Sequence, residues 1–148
     1  MSIDDAILNK PGRLTPEEFE IMKTHTTIGA DMLLELGSHH AGNALIEYAY
    51  QIARWHHERW DGKGYPDGLK GDEIPIAAQV VSVADVYDAL TSVRVYKDAI
   101  PHKEAIQMIL DGKCGTFNPL LLDCLLEVQD QIAETLARPA DVVAFPTI

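Results

Sequence analysis

The chain has 148 residues, 23 acidic against 12 basic side chains, and a formal net charge of −11. That length suits one domain able to bury about two-thirds of its unfolded surface, and a hydrophobic content of 47% excludes global disorder. The charge excludes a broad basic surface for DNA or anionic lipid. A polyanion can bind only where metal ions or local Arg and Lys reverse the sign.

Other classes fall away on pattern. No apolar run reaches the ~18 residues that span a membrane. The start, Met1 to Asp5, lacks the basic and apolar blocks of a signal peptide. Cys114 and Cys124 match neither CxxC nor a zinc-ligand spacing. These features imply a cytoplasmic protein with reduced thiols.

In chain order, residues 3–9 predict a short helix or turn, broken by Lys10-Pro11-Gly12. Thr15-Pro16-Glu17-Glu18 is a helix start: Thr as N-cap, Pro at the first position, Glu in the capping-box position. That helix is expected to run to Leu36 and stop at Gly37. Met22, Ile28, Gly29, Met32 and Leu36 form its apolar stripe, and His25 lies on it. A second helix is expected over 41–59, with Leu45, Ala49, Ile52 and His56 on one row and Ile46, Ala49, Ala53 and His57 beside it. A Gly- and Pro-rich loop spans 61–74. Pro75 opens an apolar helix to Ser92, interrupted by Asp85 and Asp88. Another helix follows from Pro101 to Leu110. Asn118-Pro119 starts a last one over 119–137, with Leu121, Leu125, Val128 and Ile132 on its face. The tail 138–148 holds two prolines and reads as irregular. No strand pattern is visible, so the expected fold is all-α.

The informative residues are polar groups in apolar company. His25, His56, His57 and Asp85 all fall on helix faces expected to be buried. A buried polar group without a partner costs about 1–3 kcal/mol. Taken singly, each has a plain reading: a hydrogen-bonded core histidine, or a buried cap. Together they suit a divalent metal, whose natural ligands are neutral imidazoles and carboxylates. His39 and His40 read as solvated loop residues, and His102 as part of a helix start. The 61–72 loop is not a calcium loop, because Lys63 and Tyr65 stand where oxygen ligands are needed. Its glycines fit no nucleotide-binding pattern, and no Gly-x-Ser-x-Gly is present. Arg94, Tyr96 and Lys97 read either as a basic helix C-terminus or as a phosphate clamp beside the metal.

These residues together resemble the HD-GYP family, a branch of the HD metal-dependent phosphohydrolases. The resemblance rests on His56-His57-Glu58-Arg59-Trp60-Asp61-Gly62-Lys63-Gly64-Tyr65-Pro66, on Val83-Ala84-Asp85-Val86-Tyr87-Asp88-Ala89-Leu90-Thr91-Ser92 with Arg94, Tyr96 and Lys97, and upstream on Met22-Lys23-Thr24-His25. It covers roughly residues 3–128. It implies an HD-domain-like helical bundle and a bacterial signalling output domain that hydrolyses cyclic di-GMP to pGpG or GMP. It also implies divalent metal, iron or manganese, with His25, His56, His57 and Asp85 as ligands. Arg94 and Lys97 match residues that grip substrate phosphates. Asp61, Gly64, Tyr65 and Pro66 match the loop that names the family, a region of partner contact or loop shape, and Asp88 matches a residue supporting the ligands or the fold.

The pattern also has departures. The His-Asp pair that gives HD its name, with a nearby Lys, is expected just before the segment matching residues 2–8, and no His-Asp dipeptide occurs in the chain. The reading is therefore an N-terminally truncated, partial HD-GYP domain over 1–137 with a tail over 138–148, impaired in two-metal chemistry. Helices lost with that pair are expected to leave apolar surface uncovered, and so a homo-oligomer is expected. Gln79 stands where the family usually has Arg, Val95 where it has Pro, and Asn118 where Asp is common. Three functions compete: a cyclic di-GMP phosphodiesterase, a degenerate non-catalytic signalling module, and a phosphohydrolase of another nucleotide.

Overall fold

The computed structural model describes residues 3–38, 42–93 and 98–137. Among them the architecture is all-α, with one isolated bridge between Lys113 and Gly115 and no named strand. Seven helices follow in order: α1 (Asp5–Leu8), α2 (Pro16–Lys23), α3 (His25–Ser38), α4 (Ala44–Trp55), α5 (Ile76–Thr91), α6 (His102–Leu110) and α7 (Pro119–Ala137), with a 3₁₀ turn at Gly71–Glu73. Each α-helix packs on the next in the chain, except that α4 reaches α5 across the 56–75 segment.

The core lies in the C-terminal half. Val83, Val86, Tyr87 and Leu90 of α5 pack against Ala105, Ile106 and Ile109 of α6, Phe117, and Leu125 of α7. Their three- and four-residue spacing is that of a helix burying one face.

Local chemistry sets the helix starts. Thr15 accepts from the Glu18 backbone N–H while Glu18 accepts from the Thr15 N–H, the reciprocal cap expected from sequence. Lys10 closes the same corner by pairing with Glu18. Asn118 caps α7 through the Leu120 N–H.

Three expectations are corrected. The helix expected over 15–36 is two helices broken at Thr24. Four successive side chains bond back to the backbone there: Thr24 to the Ile21 carbonyl (2.6 Å), His25 to Met22 (2.7 Å), Thr26 to Lys23 (2.8 Å) and Thr27 to Thr24 (3.0 Å). Such bonds compete with the helical ladder and bend it. The helix expected over 41–59 is shorter, from the Asn43 cap to Trp55, so His56 and His57 lie in the turn beyond it. The expected stripe on the first helix pair is only partly inward: Met32 is 66% exposed, Leu36 51%, and Leu45 on α4 75%.

Gln79 and Asn118, the departures noted above, meet each other. The Asn118 amide donates to Gln79 Oε1 at 2.8 Å, and the Gln79 amide donates to the Ile74 carbonyl at 2.7 Å. A neutral bond joins α5 to the start of α7 where the family pattern implies charged residues.

Candidate metal centre

His25 comes from the α2–α3 break, and His56 and His57 from the turn after α4. One possible ligand atom from each lies within 4.8 Å of the others, and all three residues are half-buried. His25 Nδ1 faces the Met22 carbonyl at 2.7 Å, and His56 Nδ1 faces the Ile52 carbonyl at 2.8 Å. A carbonyl only accepts, so in the neutral form of each ring Nδ1 carries the proton and Nε2 keeps its lone pair. The two Nε2 atoms then face each other at 3.4 Å.

That arrangement fits a metal ion. Two nitrogens 3.4 Å apart can both lie within bonding distance, about 2.1 Å, of one ion. Backbone carbonyls that fix the tautomer of ligating histidines are the usual supporting shell of such sites. The third ring, His57, packs edge-on to His25 and against His56. Burial, reinforced by His56, His25 and Arg59, pushes its pKa down to about 3. It is therefore neutral at physiological pH.

The sequence that follows builds the wall of this site. Glu58 is 2% exposed and its pKa is raised by burial. Its Oε1 accepts from the backbone N–H of Asp67 (2.7 Å) and Gly68 (3.0 Å), while Oε2 has no hydrogen-bond partner among the described residues. The loop is thus folded back onto the His56–His57 turn. Gly64 touches that turn so closely that a Cβ would overlap the backbone of Glu58 and Arg59. Tyr65, followed by a cis bond to Pro66, stacks on the His57 ring at 4.8 Å and 23°. Burial pushes the Tyr65 phenol up to about 12, against the nearby Arg59 charge and with that of Asp85. Asp61 accepts from Thr116 at 3.3 Å and so ties the loop's start to the segment before α7.

Arg59 is the supporting residue that the sequence pattern did not single out. Its Nη1 donates to the Glu58 carbonyl (2.9 Å), to Ser82 Oγ (2.7 Å) and, more weakly, to the His56 carbonyl (3.4 Å). The guanidinium lies 5.2 Å from the Phe117 ring. It fastens the histidine turn to α5 and to the core. The only sequence signal was an Arg directly after the His-His-Glu run.

Asp85 is exposed on α5 rather than buried as expected. It is not among the three closely clustered donors, but its charge is felt at Tyr65 and Arg59 beside them. The helix is apolar on two sides, with Ile76 and Val80 exposed, so composition did not reveal which side is buried. Asp88 is also exposed and accepts from Ser92 at 3.1 Å. Arg94, Tyr96 and Lys97, His39 and His40, and the tail 138–148 lie outside the described residues. His102 begins α6 as expected and pairs through Nδ1 with the Tyr87 hydroxyl at 2.8 Å. No helix among the described residues is long and apolar enough to cross a membrane.

The chain is also similar to known proteins. A probable cyclic di-GMP phosphodiesterase of Vibrio cholerae is 45% identical over 143 residues, covering 95% of this chain and 32% of that protein. A cyclic di-GMP phosphodiesterase of Thermotoga maritima is 46% identical over 143 residues, covering 95% of this chain and 37% of that protein. A 3'3'-cGAMP-specific phosphodiesterase of Vibrio cholerae is 39% identical over 141 residues, covering 95% and 26% respectively. The chain thus spans about a third of the length of these curated relatives. The HD domain family matches residues 2–119, most of the chain, and the protein belongs to that family.

Proposed function

We propose that this chain is the metal-binding part of a cyclic dinucleotide phosphodiesterase acting on cyclic di-GMP. The observation that carries the proposal is the paired Nε2 lone pairs of His25 and His56, 3.4 Å apart, with neutral His57 beside them. His25, His56 and His57 hold the ion, and Asp85 offers a carboxylate whose charge reaches the same wall. Iron or manganese follows from the family resemblance; imidazole donors suit iron, and a carboxylate such as that of Asp85 suits manganese. When bound, such an ion supplies Lewis acidity toward a phosphoryl oxygen and makes water a stronger nucleophile near neutral pH. The chain's own residues do the rest. The carbonyls of Met22 and Ile52 orient two imidazoles, the Glu58-anchored loop screens the third from water, and Arg94 and Lys97 balance phosphate charge. A cyclic dinucleotide carries only two phosphates, so a local cationic spot suffices in a protein of net charge −11.

The domain reading is part of this proposal: a partial HD-GYP domain over 1–137 and a tail over 138–148, working in the cytoplasm. The exposed rim of the loop, including Lys63 and Lys70, is the side offered to a signalling partner. The 148 residues contain no His-Asp dipeptide, and the three clustered donors include no carboxylate to bridge two ions. The three clustered donors favour one ion bound by these residues. They also favour the second reading, a non-catalytic signalling module.

Metal analysis with a cyclic di-GMP hydrolysis assay tests the proposal. Uptake of metal with slow formation of pGpG or GMP is expected. Absence of metal after reconstitution overturns the site. Metal uptake with no hydrolysis selects the non-catalytic module, and fast turnover overturns the one-ion reading.

A further inference from the structure

We propose that Tyr65 is a positioning residue that sets the orientation of the His57 imidazole for ligation. The inference rests on the reading of His57 as a metal ligand. His25 and His56 are each held by an Nδ1–H bond to a backbone carbonyl. Among the described residues the His57 ring makes no hydrogen bond. A ligand without an orienting bond loses affinity, because its rotamer freedom is given up only on binding.

The Tyr65 ring fills that role by a flat contact. The two rings lie 4.8 Å apart and within 23° of parallel. Tyr65 is itself restrained from four sides. Its backbone N–H donates to the His57 carbonyl at 3.3 Å. Gly64 sits against the Glu58–Arg59 backbone, where no side chain fits. The Phe19 ring meets Tyr65 edge-on at 6.1 Å and 84°, and the Lys23 ammonium lies 5.6 Å from the Tyr65 ring. Beyond Pro66, Glu58 holds Asp67 and Gly68 through their N–H groups, and Arg54 holds the Asp67 carboxylate. The loop therefore delivers a rigid aromatic face to one imidazole. Among the described residues the Tyr65 hydroxyl makes no hydrogen bond, so the ring rather than the phenol does this work.

The test uses the full chain and Co²⁺, whose visible absorption reports coordination and whose titration gives affinity. Tyr65→Phe keeps the face and is expected to bind Co²⁺ within about twofold of the parent. Tyr65→Leu keeps bulk but not the face, and is expected to bind about tenfold more weakly, the loss typical of an orienting partner of a ligating histidine. In the metal-free parent and in Tyr65→Phe, the His57 Cε1–H proton resonance is expected to lie upfield of its position in Tyr65→Leu. Helical circular dichroism checks the fold. If Tyr65→Leu does not fold, Phe19→Ala, which removes the outer edge contact and the Lys23 contact on the Phe19 ring, carries the comparison with a smaller loss. Parental affinity in the folded Leu variant, or in Phe19→Ala where that variant stands in, overturns the inference. Absence of Co²⁺ binding by the parent instead overturns the metal reading itself.

Discussion

His25 and His56 each spend one nitrogen on a backbone carbonyl and aim the other at a common point. Removing either leaves too few nitrogen donors for tight binding. His56→Ala is expected to lower Co²⁺ affinity at least 100-fold by titration while leaving the helical signal intact. Gly64 is the neighbouring residue least able to change, because its place is set by approach to another backbone. Gly64→Ala forces the loop off the histidine turn. A loss of about 2–3 kcal/mol in urea unfolding is expected, at the upper end for overpacking. Asp67 gives the site a pH dependence. The Arg54 guanidinium, which donates to it at 2.8 and 2.9 Å, and the Trp55 indole N–H at 2.7 Å hold its carboxyl below the usual carboxylate range. A lowered folded pKa contributes stability that is present at neutral pH and lost as the pH falls through that folded value. Asp67→Asn is expected to cost about 0.5–1 kcal/mol at neutral pH. The gap to the parent should close in acid, as urea unfolding at the two pH values can show.

At the scale of elements, the starts of α2 and α7 were legible because their caps depend on neighbours in sequence. The Thr15–Glu18 box and the Asn118 cap formed as their residue types require. Helix ends and breaks were less legible. The break at Thr24 needs three threonines and a histidine to choose backbone carbonyls together, and each of them is compatible with an unbroken helix taken alone. The Gln79–Asn118 bond was legible only as two departures from a family pattern, and the fold joins them. A double-mutant cycle can read that coupling. Gln79→Arg alone is expected to destabilise by about 3 kcal/mol, since it buries an uncompensated charge. Adding Asn118→Asp is expected to recover most of that loss, with a coupling of about 1–3 kcal/mol by chemical denaturation.

At the scale of the molecule, the well-packed centre and the candidate metal centre are separate. The core binds α5, α6 and α7, whereas the histidines sit where α2, α3 and the end of α4 meet. Arg59 joins the two, through Ser82 and Phe117. Apolar side chains remain outside both. Val80 on α5 with Leu121, Cys124, Val128 and Leu136 on α7 line an open groove of about 480 Å³, and Met32, Leu36 and Leu45 are exposed on α3 and α4. Self-association is the proposed consequence. With a net charge of −11, like-charge repulsion opposes it at low ionic strength. Light scattering is expected to give a dimer or larger species that grows with added salt, and a monomer at low and high salt alike counts against it.

The sequence by itself determined the helical class, the caps, the long His-His-Glu to Gly-Tyr-Pro stretch, and therefore the family. These are carried by residue type and by spacing within one element, where chemistry is local. Only the tertiary structure decided which side of α5 faces the solvent, and that Asp85 lies on it. It alone showed that His56 and His57 lie in a turn, that Tyr65 covers one of their rings, and that Arg59 anchors them. Helix periodicity gives an angle around one axis. Which angle is buried depends on what packs against it, and that is a property of the whole fold.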